Sequence, residues 1–226
     1  MIITIDGPAA SGKTTIARLL AQRLNYFYLS SGLLFRGLAY VLINEYYYNE
    51  EQLLQPREKD LHDVLQPNRF MYTYDAQKQE QLFFDGTNIT SLLRDKGISK
   101  YASMIATNIP VRNALAVIQY NIANNRDLVA EGRDMGSIIF PKAQIKFFLT
   151  ASLEVRAKRW QSDQEKKGNK LTLDQAQEEI KSRDERDANR RVAPLCVPND
   201  AIIIDDSMLN KEQVIIMMEQ RIRKLF

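Results

Sequence analysis

The sequence predicts an α/β protein: a central parallel five-stranded sheet with helices on both faces, an inserted lobe carrying a small antiparallel sheet, and a late helical lid. Three observations predict it. Apolar runs at 2–6, 27–29, 127–131, 145–149 and 202–205 read as strands covered on both faces. Stretches of helical period lie between them. The first run breaks into a small-residue loop, Gly7-Pro8-Ala9-Ala10-Ser11-Gly12, and passes straight into a helix with Ile16, Leu19, Leu20 and Leu24 at helical spacing.

That loop fits G-x-x-x-x-G-K-[ST], with Gly7, Gly12, Lys13 and Thr14 in the fixed places and Thr15 next. An ordinary Gly/Ser turn can fit the bare pattern, but here strand and amphipathic helix flank it as a phosphate cradle requires. Successive backbone N–H groups line one concavity, and the helix adds its positive end. Lys13 would reach the β- and γ-phosphates of a nucleotide, and the Thr14 hydroxyl would ligate Mg²⁺.

After the second strand, Ser30 and Ser31 stand where a helix through Ile43 needs N-caps. Arg36 lies one turn in, where a cation opposes the helix dipole, so a phosphate-binding role competes with a snorkelling one. Tyr46-Tyr47-Tyr48 reads as packing under a loop rather than as a base platform. A weak helix over 51–65 precedes a hairpin, Phe70–Tyr74 and Leu82–Phe84, turned at 75–79 and closed by Asp85-Gly86. Residues 91–124 read as helices with a break near Asn108. Beyond it Val111, Leu115, Ile118 and Ile122 form an apolar stripe, and Arg112 lies just inside the new helix.

The third strand ends in Glu131-Gly132-Arg133-Asp134-Met135-Gly136. Strand tips in open α/β sheets are where ligands bind, and Glu131 is placed to hold Mg²⁺ through water. Two helices follow the fourth strand, one carrying Arg156, Lys158 and Arg159 and one ending with Arg183, Arg186, Asp187 and Arg190. A solvated charged face is one reading of them; a mobile lid over phosphates is the one favoured here. The last strand and a helix with Val214, Ile215, Met218 and Ile222 inward close the chain. The expected division is a core of about 1–40, 110–155 and 192–226, a lobe of about 41–109 and a lid of about 156–191.

Bulk properties exclude several classes. A net charge of +3 over 226 residues gives no global preference for nucleic acid or membrane. Cys196 is the single cysteine and His62 the single histidine, which excludes an internal disulfide and zinc sites of either type and makes Ser/His catalysis implausible. The lone cysteine fits a reducing compartment, and a strand starting at Ile2 leaves no room for a signal peptide while no run spans a bilayer, so a cytoplasmic setting is expected. The chain is also expected to be a monomer. The chemistry left rests on carboxylates, arginines, Lys13 and a metal. A hydroxyl acceptor would call for a carboxylate base. A phosphate acceptor instead requires two anions to be held together by cations, and Arg36, Arg133, Arg183, Arg186 and Arg190 supply them. The balance favours phosphate as acceptor.

At this point the sequence resembles the bacterial cytidylate kinase family nearly end to end. The resemblance rests on Asp6-Gly7-Pro8…Ser11-Gly12-Lys13, Ser31-Gly32 with Arg36, Pro110-Val111-Arg112, Glu131-Gly132-Arg133-Asp134-Met135-Gly136…Phe140-Pro141, and Arg183-Asp184-Glu185-Arg186-Asp187…Asn189-Arg190. It implies the nucleoside monophosphate kinase fold, with the lobe near 70–84 as its enlarged monophosphate-binding part. It implies ATP, with Mg²⁺, phosphorylating CMP or dCMP. Residues 7–15 would bind ATP, and Ser31 would join the acceptor site. Ser103, Arg112 and Asp134 would read the cytosine edge, Arg183 and Asp187 would hold the sugar, and Arg36, Arg133 and Arg190 would grip the acceptor phosphate. Arg133→Ala is expected to damage turnover far more than stability. The family usually has an aspartate where Ser30 stands and an aromatic hydroxyl where Phe35 stands, which bears on any water or Mg²⁺ network that carboxylate holds.

Rival readings differ in testable residues. A guanine-nucleotide switch needs N-K-x-D, and Asn169-Lys170-Leu171-Thr172 and Asn210-Lys211-Glu212-Gln213 both lack the acid. An ATP-driven scaffold gives Arg36, Arg133 and Arg190 no common target. A kinase of another small metabolite, such as shikimate or a nucleoside, is the nearest enzymatic rival.

Overall fold

The computed structural model describes residues 1–75, 77 and 79–224, apart from the side chains of residues 94 and 96. Five strands, β1 (Ile2–Asp6), β2 (Phe27–Ser30), β6 (Leu128–Gly132), β7 (Ile145–Thr150) and β8 (Ile202–Asp205), form a parallel sheet in the order β2-β6-β1-β7-β8. β1 pairs in parallel with β7, Ile3 opposite Ile145 through Asp6 opposite Phe148, and β7 pairs with β8. The strand order reverses at β1, so the loop leaving its C-terminal end sits at the topological switch point, where open α/β sheets bind ligands.

The chain divides into two compact units, residues 1–26 with 129–226, and residues 27–128. In the first, α1 (Lys13–Leu24) buries Ile16, Ala17, Leu20 and Ala21 and packs beside α9 (Lys211–Arg223), where Arg23 pairs with Glu212 and Glu219. The helices α7 (Leu153–Glu165) and α8 (Leu173–Asn189) form a hairpin with its own small core of Ala157, Ala176 and Ile180. Ala10 of the β1–α1 loop packs against that core. Thr172 caps α8 in a reciprocal capping box with Gln175.

In the second unit, α2 (Ser31–Asn44) is apolar nearly all round and buries Leu33, Leu34, Phe35, Leu38, Ala39, Val41 and Leu42. A Cβ on Gly37 would lie 1.9 Å from Leu82 Cδ2, so glycine there lets the small sheet rest directly on the helix. Ser30 occupies the N-cap position but makes no side-chain cap bond, against the expectation; its N–H instead donates to Tyr72 Oη at 3.0 Å.

The weak helix expected over 51–65 is two short helices, α3 (Glu50–Leu54) and α4 (Glu58–Val64), split at Pro56, whose ring removes a donor. The hairpin is β3 (Phe70–Tyr74) and β4 (Glu80–Phe84), but Asp85-Gly86 does not end it. Both residues have positive φ, 46° and 77°, and turn the chain into a third strand, β5 (Thr87–Asn88). The turn expected at 75–79 includes residues 76 and 78, outside the described residues.

A 3-10 turn, Thr90–Arg94, then leads to α5 (Lys96–Ile105) and α6 (Ile109–Ala123), with Pro110 in the first turn of α6 and Asn108 as its cap. The three tyrosines divide: Tyr48 is buried with its hydroxyl 2.6 Å from Asp60, Tyr46 bonds Asp63, and Tyr47 is exposed. Among the described residues no helix is long and apolar enough to cross a membrane.

Candidate active site

The loop from Gly7 to Gly12 is shaped by close packing. A Cβ on Gly7 would lie 2.1 Å from the Leu149 carbonyl oxygen of β7, so only glycine lets β1 turn into the loop there. Lys13 begins α1 and is buried, its Nζ donating to the Pro8 carbonyl at 2.8 Å across the loop. Burial pushes the Lys13 ammonium well below the usual lysine range. Arg133 and Arg183 push it the same way, while Glu131 and Asp187 oppose them. An anion brought to this loop would therefore favour the charged lysine.

Beside it, the Thr14 hydroxyl lies 3.3 Å from Glu131 Oε1 at the end of β6, and Glu131 is almost wholly buried. One hydroxyl next to one buried carboxylate suits magnesium, a hard cation that keeps several waters and takes further oxygens from phosphates. Among the described residues no group of three or more His, Cys, Asp or Glu side chains forms a closed metal cage.

The arginines converge on two carboxylates of the same unit. Arg133 Nε donates to Asp187 Oδ2 at 2.7 Å, and both side chains are mostly buried. Burial pushes the Asp187 carboxyl up, but Arg133, with Arg183 and Arg190 behind it, outweighs this and holds it below the usual aspartate range. Arg190 Nη2 lies 3.6 Å from Asp134 Oδ1, both side chains deeply buried. Arg190 stands just past the end of α8 rather than on its face, so the four-residue charged face expected at 183–190 is interrupted. Arg186 departs from the set: it is exposed and donates to Ser182 Oγ on its own helix. Lys13, Thr14, Glu131, Arg133, Asp134, Arg183, Asp187 and Arg190 thus belong to one constellation of the first unit.

The remaining candidates lie in the second unit. Ser31 opens α2 and is buried, and Arg36 follows one turn later, with its Nη1 folded back over Gly32. Arg112, at the start of α6, is buried, donates to the Ala106 carbonyl at 3.2 Å and sits over the Phe35 ring at 5.5 Å. Phe35, the departure noted above, is thus the surface on which this arginine rests. Ser103 lies near the end of α5.

Sequence reasoning missed one feature that organises the tip of β6. Residues Met135–Ile139 form a π turn, and its first two N–H groups, Met135 and Gly136, donate to the two oxygens of Asp6 at 2.9 and 2.7 Å. Asp6 is fully buried, and burial raises its carboxyl to about 6 despite those two bonds. The folded protein therefore holds this proton at pH values where the unfolded chain has released it, and this group's share of stability falls as pH rises from about 4 to 6. The whole contribution is about 3 kcal/mol, of which about 2 kcal/mol is lost between pH 4.5 and 7. Urea denaturation at pH 4.5 and 7 should show this fall in the wild type and not in Asp6→Asn; parallel pH profiles for the two proteins would contradict it.

It also missed the contacts that tie the α7–α8 hairpin to the loop. Arg159 Nη1 donates to Asp206 at 2.9 and 3.1 Å and to the Ser11 carbonyl at 3.3 Å. Arg156 and Asp184 bond both to each other and to Ala9. The excess of arginine in this hairpin was the available signal, but spacing does not say which carboxylate each one meets.

Comparison with known proteins identifies the relatives of this constellation. The profile of the family described as cytidylate kinase matches residues 3–224. The cytidylate kinase of Thermosipho melanesiensis is 40% identical over 213 residues, covering 94% of this chain and 92% of its own. That of Mycoplasmoides gallisepticum is also 40% identical, over 94% of this chain and 89% of its own. Among solved structures, shikimate kinase from Acinetobacter baumannii aligns over 99% of this chain and 93% of its own, at 14% identity and a TM-score of 0.49. The family match is almost as long as the chain, and it includes every residue of the constellation: the chain belongs to the cytidylate kinase family, whose members are nucleoside monophosphate kinases.

Proposed function

We propose that the protein transfers the γ-phosphoryl group of ATP to CMP and dCMP, giving ADP with CDP or dCDP, in the cytoplasm and as a monomer. The family match over residues 3–224 carries this reading, and the concentration of cations around Lys13 supports it. Residues 7–15 cradle the donor phosphates, all but Pro8 having a backbone N–H to offer, with Lys13 spanning the β- and γ-phosphates. Thr14 and Glu131 would hold Mg²⁺, Glu131 through water, and a metal held there would supply positive charge to the donor phosphates. Arg36, Arg133 and Arg190 grip the acceptor phosphate, and Arg183 with Asp187 holds the sugar. Ser31 contributes to the acceptor site. Ser103, Arg112 and Asp134 read the cytosine, whose edge both donates and accepts.

In the transfer, an acceptor phosphate oxygen attacks the γ-phosphorus and forms the new P–O bond. The bond from the γ-phosphorus to the β–γ bridging oxygen breaks, and ADP leaves with that electron pair. The acceptor is already an anion, so no side chain need remove a proton; what the site supplies is alignment and cancellation of charge. Residues of about 41–109 act as the acceptor-binding lobe and about 156–191 as the lid over the reaction.

ADP release from ATP and Mg²⁺, with CMP, dCMP, UMP, AMP and GMP offered singly, tests the reading. CMP and dCMP should accelerate release by at least 100-fold over ATP alone. Equal release with and without every monophosphate would overturn it.

A further inference from the structure

The phosphate loop is not bare: a carboxylate of the protein itself sits on it. Asp184 of α8 accepts a hydrogen bond from the Ala9 N–H, one of the cradle amides, at 2.9 Å. Its second oxygen pairs with Arg156 Nη1. The same Nη1 donates to the Ala9 carbonyl at 3.1 Å, and Arg156 Nε donates to the Ala151 carbonyl at 3.0 Å. Two backbone carbonyls therefore hold this guanidinium at the rim of the loop independently of Asp184. An anion that bridges a loop amide and an arginine has the bonding pattern of a phosphate oxygen pair.

We propose that Arg156 is a donor-phosphate ligand and that Asp184 is the internal anion it exchanges. The Asp184 carboxylate holds the place of a donor oxygen on the Ala9 N–H and Arg156, and the incoming phosphate displaces it. The inference rests on ATP being the donor. Neither residue is among those assigned to the donor or acceptor from the family resemblance.

The geometry gives the exchange two consequences. The hairpin is seated on the loop by the same contact, since its small core packs on Ala10 and Asp184 pins α8 to Ala9. Displacing the carboxylate thus loosens α8 on the loop, while Arg156 and Arg159 keep α7 seated there through Ala9, Ser11 and Asp206. The internal anion also competes with the donor. Apparent donor affinity is reduced in proportion to the time the carboxylate is seated, so neutralising it tightens donor binding while acceptor binding stays unchanged.

The test measures equilibrium binding of the Mg²⁺ complex of β,γ-methylene-ATP, and separately of CMP, by calorimetry. The emission of Trp160, the single tryptophan, follows the hairpin; its indole N–H donates to Glu179 Oε2 across α7 and α8. Asp184→Asn should bind the ATP analogue about 5–20-fold more tightly than the wild type, with CMP affinity within 2-fold. Asp184→Ser, smaller and also neutral, should do the same, so the result does not hang on one variant. Arg156→Gln should weaken the analogue by 10-fold or more, and by more still in the Asp184→Asn background, where the arginine no longer gives up an internal partner. Unchanged or weaker analogue binding in both Asp184 variants, with the wild type binding the analogue and turning over normally, overturns this exchange alone. A wild type that binds no analogue overturns the donor reading and the exchange with it.

Discussion

Arg133→Ala should lower kcat by about 10²–10³-fold at saturating ATP and CMP, as loss of a charge-stabilising donor in a dry site does. Sequence alone gives this substitution little cost in stability. The ion pair changes that expectation. Arg133 Nε lies 2.7 Å from Asp187, whose side chain is only 9% exposed, so alanine strands a carboxylate that burial already pushes toward protonation. Removing one partner of a buried pair costs about 3–5 kcal/mol, and Arg183 and Arg190, which also face Asp187, hold the loss to the lower end. Turnover and stability should fall together, and the alanine variant cannot separate them. Arg133→Lys does: it keeps the charge beside Asp187 but loses the planar fork that we propose grips the acceptor phosphate. It should melt within a few degrees of the wild type and still lose about 10-fold or more in kcat. An alanine variant that turns over normally would remove Arg133 from the reaction.

Much of the fold was legible because its strands are written without alternation. Ile2–Asp6, Leu128–Gly132 and Ile145–Thr150 are buried on both faces, and such runs stand out among amphipathic helices. The loop at 7–12 was legible because glycines, lysine and threonine must stand at set spacing to wrap a phosphate. Pairing of charges was not. Hydrophobic period reports which face is buried, never which guanidinium meets which carboxylate. Hence spacing alone shows Asp184 and Arg156 only as members of two charged helices, and it groups Arg186 with Arg133 and Arg190 although Arg186 turns outward to Ser182. The π turn at 135–139 was hidden for a related reason. It depends on the Asp6 carboxylate, 129 residues away from Met135, taking up its leading N–H groups, and no local propensity records that partner.

Gly7→Ala should lower the rate of transfer by about 100-fold and cost about 2–3 kcal/mol of stability, near the upper end for overpacking a rigid site. The added Cβ would meet the Leu149 carbonyl oxygen at 2.1 Å and its carbon at 3.1 Å. Neither neighbour can retreat. Leu149 is held by pairing with Ile204 of β8, and the preceding residues of β7 are paired with β1, whose Asp6 adjoins the glycine. The loop must therefore move, by about 1 Å, and it carries the Pro8 carbonyl, the Ala9 N–H and Lys13 with it. A displacement of that size at a phosphate cradle costs about 100-fold in rate through misalignment alone. Gly168→Ala supplies the control. It also has a positive φ, 83°, but no heavy atom lies within 4 Å of its added Cβ. It should cost only the backbone penalty of about 1–2 kcal/mol and leave kcat within a few-fold of the wild type. Urea denaturation and ADP release on both variants measure the contrast. If Gly7→Ala matched Gly168→Ala in both, the close approach of β7 would not be what shapes the phosphate loop.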